Sequence, residues 1–141
     1  MKQIFKLTSI LFLMIVSCGY AQEGAKDFDE IVYNEFTRGS FSIITVTKNK
    51  ASFKGKNSEK SVEVSKVKRD ELSKLLGKID LESIKNLDTP TEKRASDRSM
   101  HANVTIKIGD KSYTSVTFDA DNPPKELKEI IKTVLGVGKP E

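Results

Sequence analysis

The sequence is poor in the residue types that carry much of protein chemistry. Its 141 residues include one cysteine, one histidine and no tryptophan. A single cysteine cannot form a disulfide within the chain, and one thiol with one imidazole cannot build a usual zinc site. We therefore expect no metal and no cofactor. Stability has to come from packing, for which the phenylalanine, leucine, isoleucine and valine content is sufficient for one core.

The N-terminal segment has the pattern of an export signal. Lys2 and Lys6 accompany the run LTSILFLMIV, which is about as long as a signal-peptide core and too short to span a bilayer. Two cleavage sites compete within residues 1–22. Ile15-Val16-Ser17-Cys18 resembles a lipobox, in which Cys18 is acylated, and Gly19-Tyr20-Ala21 fits an ordinary signal peptidase. Both predict export, as a periplasmic or outer-membrane-anchored lipoprotein or, alternatively, as a secreted soluble protein.

Removal of the signal lowers the charge of the protein. Residues 1–22 carry two lysines and no acid, so the basic count falls from 24 to 22 against 20 acids, and the net charge falls from +4 to +2. So small a charge does not predict nucleic-acid binding. A local basic excess remains over residues 48–69, where eight basic residues accompany two acids. It fits either an anionic partner or lysines that protect exposed strand edges.

β-Branched and alternating residues predict strands over 31–36, 41–47, 51–54 and 61–67. The preceding residues, 23–30, are acidic and without periodicity, and we interpret them as a tether. A central helix follows the strands. Its apolar stripe has the i, i+3, i+4, i+7 spacing of an amphipathic helix. The stripe consists of Leu72, Leu75, Leu76 and Ile79. Residues 81–87 fit a second short helix.

A hairpin is predicted over residues 103–118. A three-residue connection at 109–111 pairs Val104 with Val116 and Ala102 with Phe118, which keeps apolar residues on one face.

The C-terminal helix has both start and stop signals. Asn122 is a suitable N-cap, Pro123 fits the first helical position, and Gly136 is suited to closing the helix. Between them lies a five-residue apolar stripe: Leu127, Ile130, Ile131, Val134 and Leu135. Together, the elements predict one α+β domain over 31–138. We expect a single antiparallel sheet of about five to six strands, with the central and C-terminal helices packed on one face.

The polar segment 88–101 carries the candidate site. It holds Arg94, Arg98 and the single histidine, His101, with Asp97 among them. A ligand-binding loop and an ion-pair lattice are both consistent with this composition; the lattice would join Asp88, Glu92, Arg94, Asp97 and Arg98.

The polar residues contain parts of two kinds of active site. A hydrolase would use Ser96 or Ser99 with His101 and Asp97, but the sequence contains no nucleophile-elbow pattern. The stretch from Asp119 to Asn122 resembles half of a calcium loop without its glycine and distal glutamate. Its acids fit a helix N-terminus better. We therefore assign no catalytic and no metal-binding residue.

Three stretches resemble a family of small exported proteins of Bacteroidetes-type bacteria. They are TRGSF (37–41), PTEKRASD (90–97) and YTSVTFDADNPPKEL (113–127), and the similarity covers about residues 28–136. The family has no known activity, so the resemblance implies no catalytic residue. It does imply that Arg38, Arg94 and Asp97 converge on one face, as an Arg38–Asp97 ion pair or an anion-binding pocket.

These observations predict a monomeric, non-enzymatic binding module of the cell envelope. Its binding residues would be Arg38, Arg94, Asp97, Arg98 and His101. The expected partner is an envelope protein or an anionic polymer, and the expected membrane contact is a lipid anchor at Cys18. The alternative is a small hydrolase or metal-dependent enzyme that uses the 88–101 loop.

Overall fold

The computed structural model of the protein describes residues 24–139. Within this range, seven strands form one antiparallel sheet, accompanied by two α-helices. The strands are β1 (Glu30–Thr37), β2 (Ser40–Thr47), β3 (Lys50–Gly55), β4 (Glu59–Glu63), β5 (His101–Ile108), β6 (Lys111–Thr114) and β7 (Phe118–Asp119). The helices are α1 (Lys66–Gly77) and α2 (Lys128–Gly138), and short 3₁₀ helices span Ile84–Asn86 and Lys93–Ser96. The predicted α+β class is confirmed, with slightly more strands than expected.

The predicted signal peptide, its two cleavage sites and Cys18 lie outside the described residues. Neither described α-helix is long and apolar enough to cross a membrane.

Strand β1 lies in the middle of the sheet, whose order is β4-β3-β2-β1-β5-β6, with β7 paired to the start of β5. It is antiparallel to both neighbours. The chain enters β1 at Glu30 and leaves it at Thr37, roughly 23 Å away at about 3.3 Å per residue. The entry of the described chain and the turn between β1 and β2 therefore lie at opposite ends of the sheet.

The two faces of the sheet differ because side chains alternate along each strand. One face is buried under the helices. Its side chains are almost completely buried: Ile31, Tyr33, Ile44, Val46, Ala51, Ala102, Val104 and Ile106. Helix α2 lies over β1–β4 and α1 packs beside it. The opposite face, called the open face below, presents Val32, Asn34 and Phe36 of β1 and the residues paired with them.

The apolar stripe of the C-terminal helix is confirmed, because its first four residues are buried and Leu135 packs against the core. The predicted N-cap at Asn122 is wrong: Asn122 bridges to Asp119, and α2 begins at Lys128. The sequence Pro123-Pro124 explains the delay, since the second proline disfavours helical backbone at the first. Gly136 does not close the helix, which continues to Gly138.

The predicted hairpin connection is also wrong. The turn has two residues, with Ile108 opposite Lys111, and Gly109 adopts a φ of 57° there. The expected pair of Ala102 with Phe118 nevertheless forms. A bulge over residues 115–117 shifts the register by one residue between the two pairings. The hydroxyl of Ser115 completes the bulge by accepting from the Val104 amide at 3.0 Å.

The predicted tether is too long at its C-terminal end. Phe28 is 1% exposed and belongs to the core. The amides of Lys26 and Asp29 donate to the carbonyls of Ser73 and Lys107, each at 2.9 Å. Phe28 stands among acids without any apolar periodicity, so the sequence gives no strand or helix signal there. Its burial nevertheless attaches this segment to the domain.

Candidate functional site

The polar segment between α1 and β5 crosses the end of the sheet where β1 leaves and β5 begins. Its middle forms the 3₁₀ helix Lys93–Ser96, which ends at Asp97 in the left-handed conformation, with a φ of 53°. Aspartate is among the few residues that tolerate this backbone region. The segment is therefore ordered by specific contacts, in spite of its polar and aperiodic sequence.

A buried carboxylate holds this segment in place. Asp119 of β7 is fully buried, and its two oxygens accept hydrogen bonds from four donors. The donors are the Thr91 hydroxyl at 2.5 Å, the Lys93 amide at 2.7 Å, the Arg94 amide at 3.0 Å and the Arg94 guanidinium at 3.1 Å. We call Thr91, Lys93, Arg94 and Asp119 the Asp119 cluster. It joins two stretches of the sequence that are 25–28 residues apart.

The electrostatics of the Asp119 cluster favour the charged carboxylate. Burial alone raises the pKa of Asp119, but the hydrogen bonds from Thr91, Arg94 and Lys93 outweigh it and hold the pKa well below its usual range. Asp119 is therefore an internal anion with satisfied oxygens. The helix-N-terminus interpretation of this residue is wrong, because α2 begins nine residues later at Lys128.

Beside the Asp119 cluster lies a surface recess of about 470 Å³ at the corner of the open face. We call it the corner recess. It is lined by Phe36, Thr37, Arg38, Arg94, Ala95, Asp97 and His101. Four of the five predicted binding residues, Arg38, Arg94, Asp97 and His101, thus lie around one concavity.

Three rings form a row along the open face at this corner. Phe36 lies opposite Phe41 of β2 on one side and opposite His101 of β5 on the other. The imidazole of His101 stacks on the Phe36 ring, with centroids 5.2 Å apart and planes inclined by 15°. Phe36 and Phe41 remain 40% and 38% exposed. Exposed aromatic rings of this kind are typical of contact surfaces.

The charged residues of the corner recess differ in whether they form hydrogen bonds or ion pairs within the protein. The Arg94 side chain is mostly buried and bound to Asp119 and to the Thr91 carbonyl. Arg38 is exposed, and within residues 24–139 its guanidinium makes no ion pair or side-chain hydrogen bond. The same holds for the Asp97 carboxylate in the described part of the chain. The predicted Arg38–Asp97 ion pair is therefore not formed, although both residues line the recess.

Arg98, the fifth predicted binding residue, faces a neighbouring recess. This recess has a volume of about 550 Å³ and shares only Thr37 and Asp97 with the corner recess. The Arg98 Nε donates to the Ser96 hydroxyl at 2.9 Å. Glu35 and Asp121 also line the second recess. Arg98 is thus held by its own loop beside two acids.

The arrangement does not support the predicted catalytic alternative. The Ser96 hydroxyl donates to the Lys93 carbonyl and the Ser99 hydroxyl donates to Asp121 at 2.6 Å. His101 stacks on a phenylalanine and is not hydrogen-bonded to Asp97. A nucleophile, a base and an orienting acid in mutual contact are therefore not assembled here. Among residues 24–139, no group of three or more potential ligands is placed to hold a metal ion.

The basic excess at 48–69 is divided by nearby acids. Lys48 pairs with Asp27, and the lysines at the start of α1 pair within the helix. Lys50 and Lys54 of β3 lie opposite Glu63 and Glu59 of β4. These exposed contacts are worth little in stability. They do interrupt the positive surface that an extended anionic polymer would need.

A separate apolar groove of about 370 Å³ lies on the helix side of the molecule. Its lining includes Leu75, Ile79, Ile84, Leu87 and Ile130, with acids at the rim. The corner recess differs from this groove in having the exposed Phe36 ring and the charged groups of Arg38 and Asp97 in its lining.

Comparisons of the chain with protein-family models, with curated proteins and with solved structures found no match. Family membership thus stays a prediction from the three quoted stretches. The structure gives two of them a physical meaning, because PTEKR supplies Thr91 and Arg94 and TFDAD supplies Asp119. The sequence interpretation missed this contact. The only available signal was that a threonine, an arginine and an aspartate recur in stretches that resemble one family.

Proposed function

We propose that the protein is an exported, non-enzymatic binding module of the cell envelope, and that its partner binds at the corner recess. The observation that carries this proposal is that the exposed Phe36 ring and an arginine with no partner among residues 24–139 line one concavity, with the exposed Phe41 ring beside it. Phe36 and Phe41 offer apolar area, and Arg38 offers a charge that no described residue neutralises. Such a combination is typical of the anchor residues of binding sites.

The Asp119 cluster supports a binding role. Its hydrogen bonds hold the backbone at Lys93 and Arg94, which places Arg94, Ala95 and Asp97 at the recess through contacts within the protein. A site whose loop is already ordered loses less conformational entropy when a partner binds.

The position of the recess fits a protein that is attached through its N-terminal end. The described chain enters at the opposite end of β1 from the recess. If export leaves an acyl anchor at Cys18, the anchored chain enters the domain at the end of the sheet opposite the recess. If cleavage follows Ala21, the same module is soluble in the periplasm or secreted, and its binding surface is unchanged.

Binding to envelope material tests the proposal. The protein is purified after export and immobilised, and retention of solubilised envelope fractions is measured by biolayer interferometry. The double variant Arg38→Glu/Phe41→Ser alters one residue that lines the recess and the exposed ring that adjoins it on β2. Lys111→Glu makes the same charge reversal in the distant β5–β6 turn. We expect retention by the wild type and by Lys111→Glu, and a loss of about tenfold or more for the recess variant. Equal retention by all three proteins would contradict binding of the partner at the recess.

Processing at the N-terminus is tested separately. Uptake of a radiolabelled fatty acid by the wild type but not by Cys18→Ala indicates a lipoprotein. Absence of label in both proteins, with a mature N-terminus after Ala21, indicates the soluble form.

A further inference from the structure

We infer that the ligand of the corner recess is an acidic saccharide, that is, a sugar ring bearing a carboxylate within an envelope polysaccharide. This inference rests on the proposed binding function and specifies its ligand class. Three features at the recess carry it: a row of rings that extends from it along the sheet, a guanidinium with no partner among residues 24–139, and a carboxylate that can accept hydrogen bonds from hydroxyl groups.

The row of rings provides a platform for the apolar face of a sugar. Phe41, Phe36 and His101 are neighbours across β2, β1 and β5, and the two phenylalanines are substantially exposed. A pyranose ring presents axial C–H groups on one face, and these groups pack favourably against the electron-rich face of an aromatic ring. His101 stacks on Phe36 almost in parallel and covers one face of that ring, so the exposed Phe41 ring and the uncovered part of Phe36 are the surfaces left for the sugar.

Arg38 is placed to bind the carboxylate of such a sugar. It follows Phe36 by two residues in the turn between β1 and β2, and it lines the same recess. Its planar guanidinium can donate two parallel hydrogen bonds to a carboxylate. Arg94 contributes less, because its guanidinium already binds Asp119.

Asp97 distinguishes a saccharide from a ligand that is merely anionic. Its carboxylate, which has no partner in the described part of the chain, can accept hydrogen bonds from sugar hydroxyl groups. The same negative charge opposes phosphate-rich or sulfated polymers, which are bound best by several cations together. A recess in which one cation and one carboxylate lack a partner among the described residues therefore suits a ring with one acid group and several hydroxyls.

The open face beyond the recess can accommodate neighbouring sugar units. Asn34 and Asn103 lie beside the aromatic row and are hydrogen-bonded to each other at 3.1 Å. The next row across the sheet carries mainly hydroxyls, contributed by Ser61, Ser52, Thr45, Thr105 and Thr114. Amide and hydroxyl groups on a flat surface match the polar edges of a polysaccharide better than they match a lipid surface.

The experiment measures binding of the exported protein to defined oligosaccharides at one fixed ionic strength. The probes are an oligogalacturonate, the same oligosaccharide with its carboxyl groups reduced to alcohols, and dextran sulfate. The first two differ only in the carboxylate, and the third supplies charge without it. The variants are Arg38→Gln, Phe41→Ala and Asp97→Asn. Lys111→Gln and Val67→Ala are matched controls, since both residues are exposed and lie outside the recess.

We expect the oligogalacturonate to bind and the reduced oligosaccharide to bind about tenfold more weakly. Arg38→Gln should lose about tenfold and Phe41→Ala about fivefold, with both controls unchanged. Asp97→Asn should weaken oligogalacturonate binding several-fold while strengthening any binding of dextran sulfate. Thermal unfolding of each variant shows that the recess changes leave the fold intact.

Three results would overturn the ligand class. The first is equal binding of the oligogalacturonate and its reduced form, and the second is equal binding by Arg38→Gln and the wild type. The third is a preference for dextran sulfate that Asp97→Asn only increases, which identifies a general anion site. If no oligosaccharide binds but envelope fractions are still retained through the recess, the proposed function stands and its partner is a protein or another polymer.

Discussion

Arg94 and Arg38 line the same recess but belong to regions with different tasks. Arg94 belongs to the Asp119 cluster, where donors and acceptors within the described chain satisfy one another. Arg38 and Asp97 line the recess with charged groups that have no partner among residues 24–139. The comparison shows that charged residues around one recess have two roles: some hold the loop in place, and others are accessible to a partner. Changes to the first should alter stability, and changes to the second should alter binding.

The largest effect is expected for Asp119→Asn. An amide cannot replace the acceptor capacity of a carboxylate with four donors directed at it, so buried donors lose their partners. We expect the midpoint of thermal unfolding, measured by circular dichroism, to fall by about 10 °C. The matched control is Asp121→Asn, an exposed carboxylate two residues away, which should fall by only about 2 °C. Equal shifts would mean that the Asp119 cluster does not hold the loop.

Acid should reduce the difference between the wild type and Asp119→Asn. The pKa of Asp119 is lowered in the folded protein, so the stability it provides is fully present above its unfolded-state pKa of about 3.9. That stability decreases as the pH falls from there towards the folded-state pKa. Urea unfolding of both proteins between pH 7 and pH 2.5 should give midpoints that differ most at neutral pH and approach each other below about pH 4. A constant difference would contradict an ionised Asp119.

A smaller effect is expected for Arg94→Gln, compared with Arg38→Gln. Loss of the Arg94 guanidinium removes its bonds to Asp119 and to the Thr91 carbonyl, so the free energy of unfolding should fall by about 2 kcal/mol. The same substitution at Arg38 should change it by less than about 0.5 kcal/mol, because no described side chain depends on Arg38. Equilibrium urea unfolding measures both values. Similar losses would show that the two arginines share one structural task.

The smallest change in stability is expected for Asp97→Asn. Asparagine also tolerates the positive φ at this position, so the free energy of unfolding should stay within about 0.5 kcal/mol of the wild type. Asp97→Val provides the contrast, because a β-branched side chain is poorly accommodated there and should be clearly less stable. If both variants unfold like the wild type, Asp97 does not keep the left-handed conformation in solution.

The sequence predicted the fold class because its signals are local. The stripe from Leu127 to Leu135 and the alternation in β2 each identify the buried face of one element from residues that are close together in the sequence. The errors occurred where a nearby residue changed the local rule. Pro124 displaced the start of α2, and a bulge at 115–117 allowed a two-residue turn to coexist with the expected pairing of Phe118.

The candidate site was predictable only in part. The polar segment and the approach of Arg38 to Arg94 and Asp97 followed from the composition and the resemblance. The role of Asp119 did not, because its donors are 25–28 residues away and no periodicity connects them. Such long-range contacts determine whether a charged side chain is hydrogen-bonded within the protein or accessible to a partner. The residues that flank Arg94 and Arg38 in the sequence do not show which of the two arginines is bound within the protein.

The central position of β1 has a mechanical consequence. A pull applied between the start of the described chain and the corner recess acts along this strand. The hydrogen bonds to β2 and β5 lie across that direction, so they share the force and must break together instead of one after another. Force spectroscopy with handles at residues 24 and 38 should therefore meet high resistance.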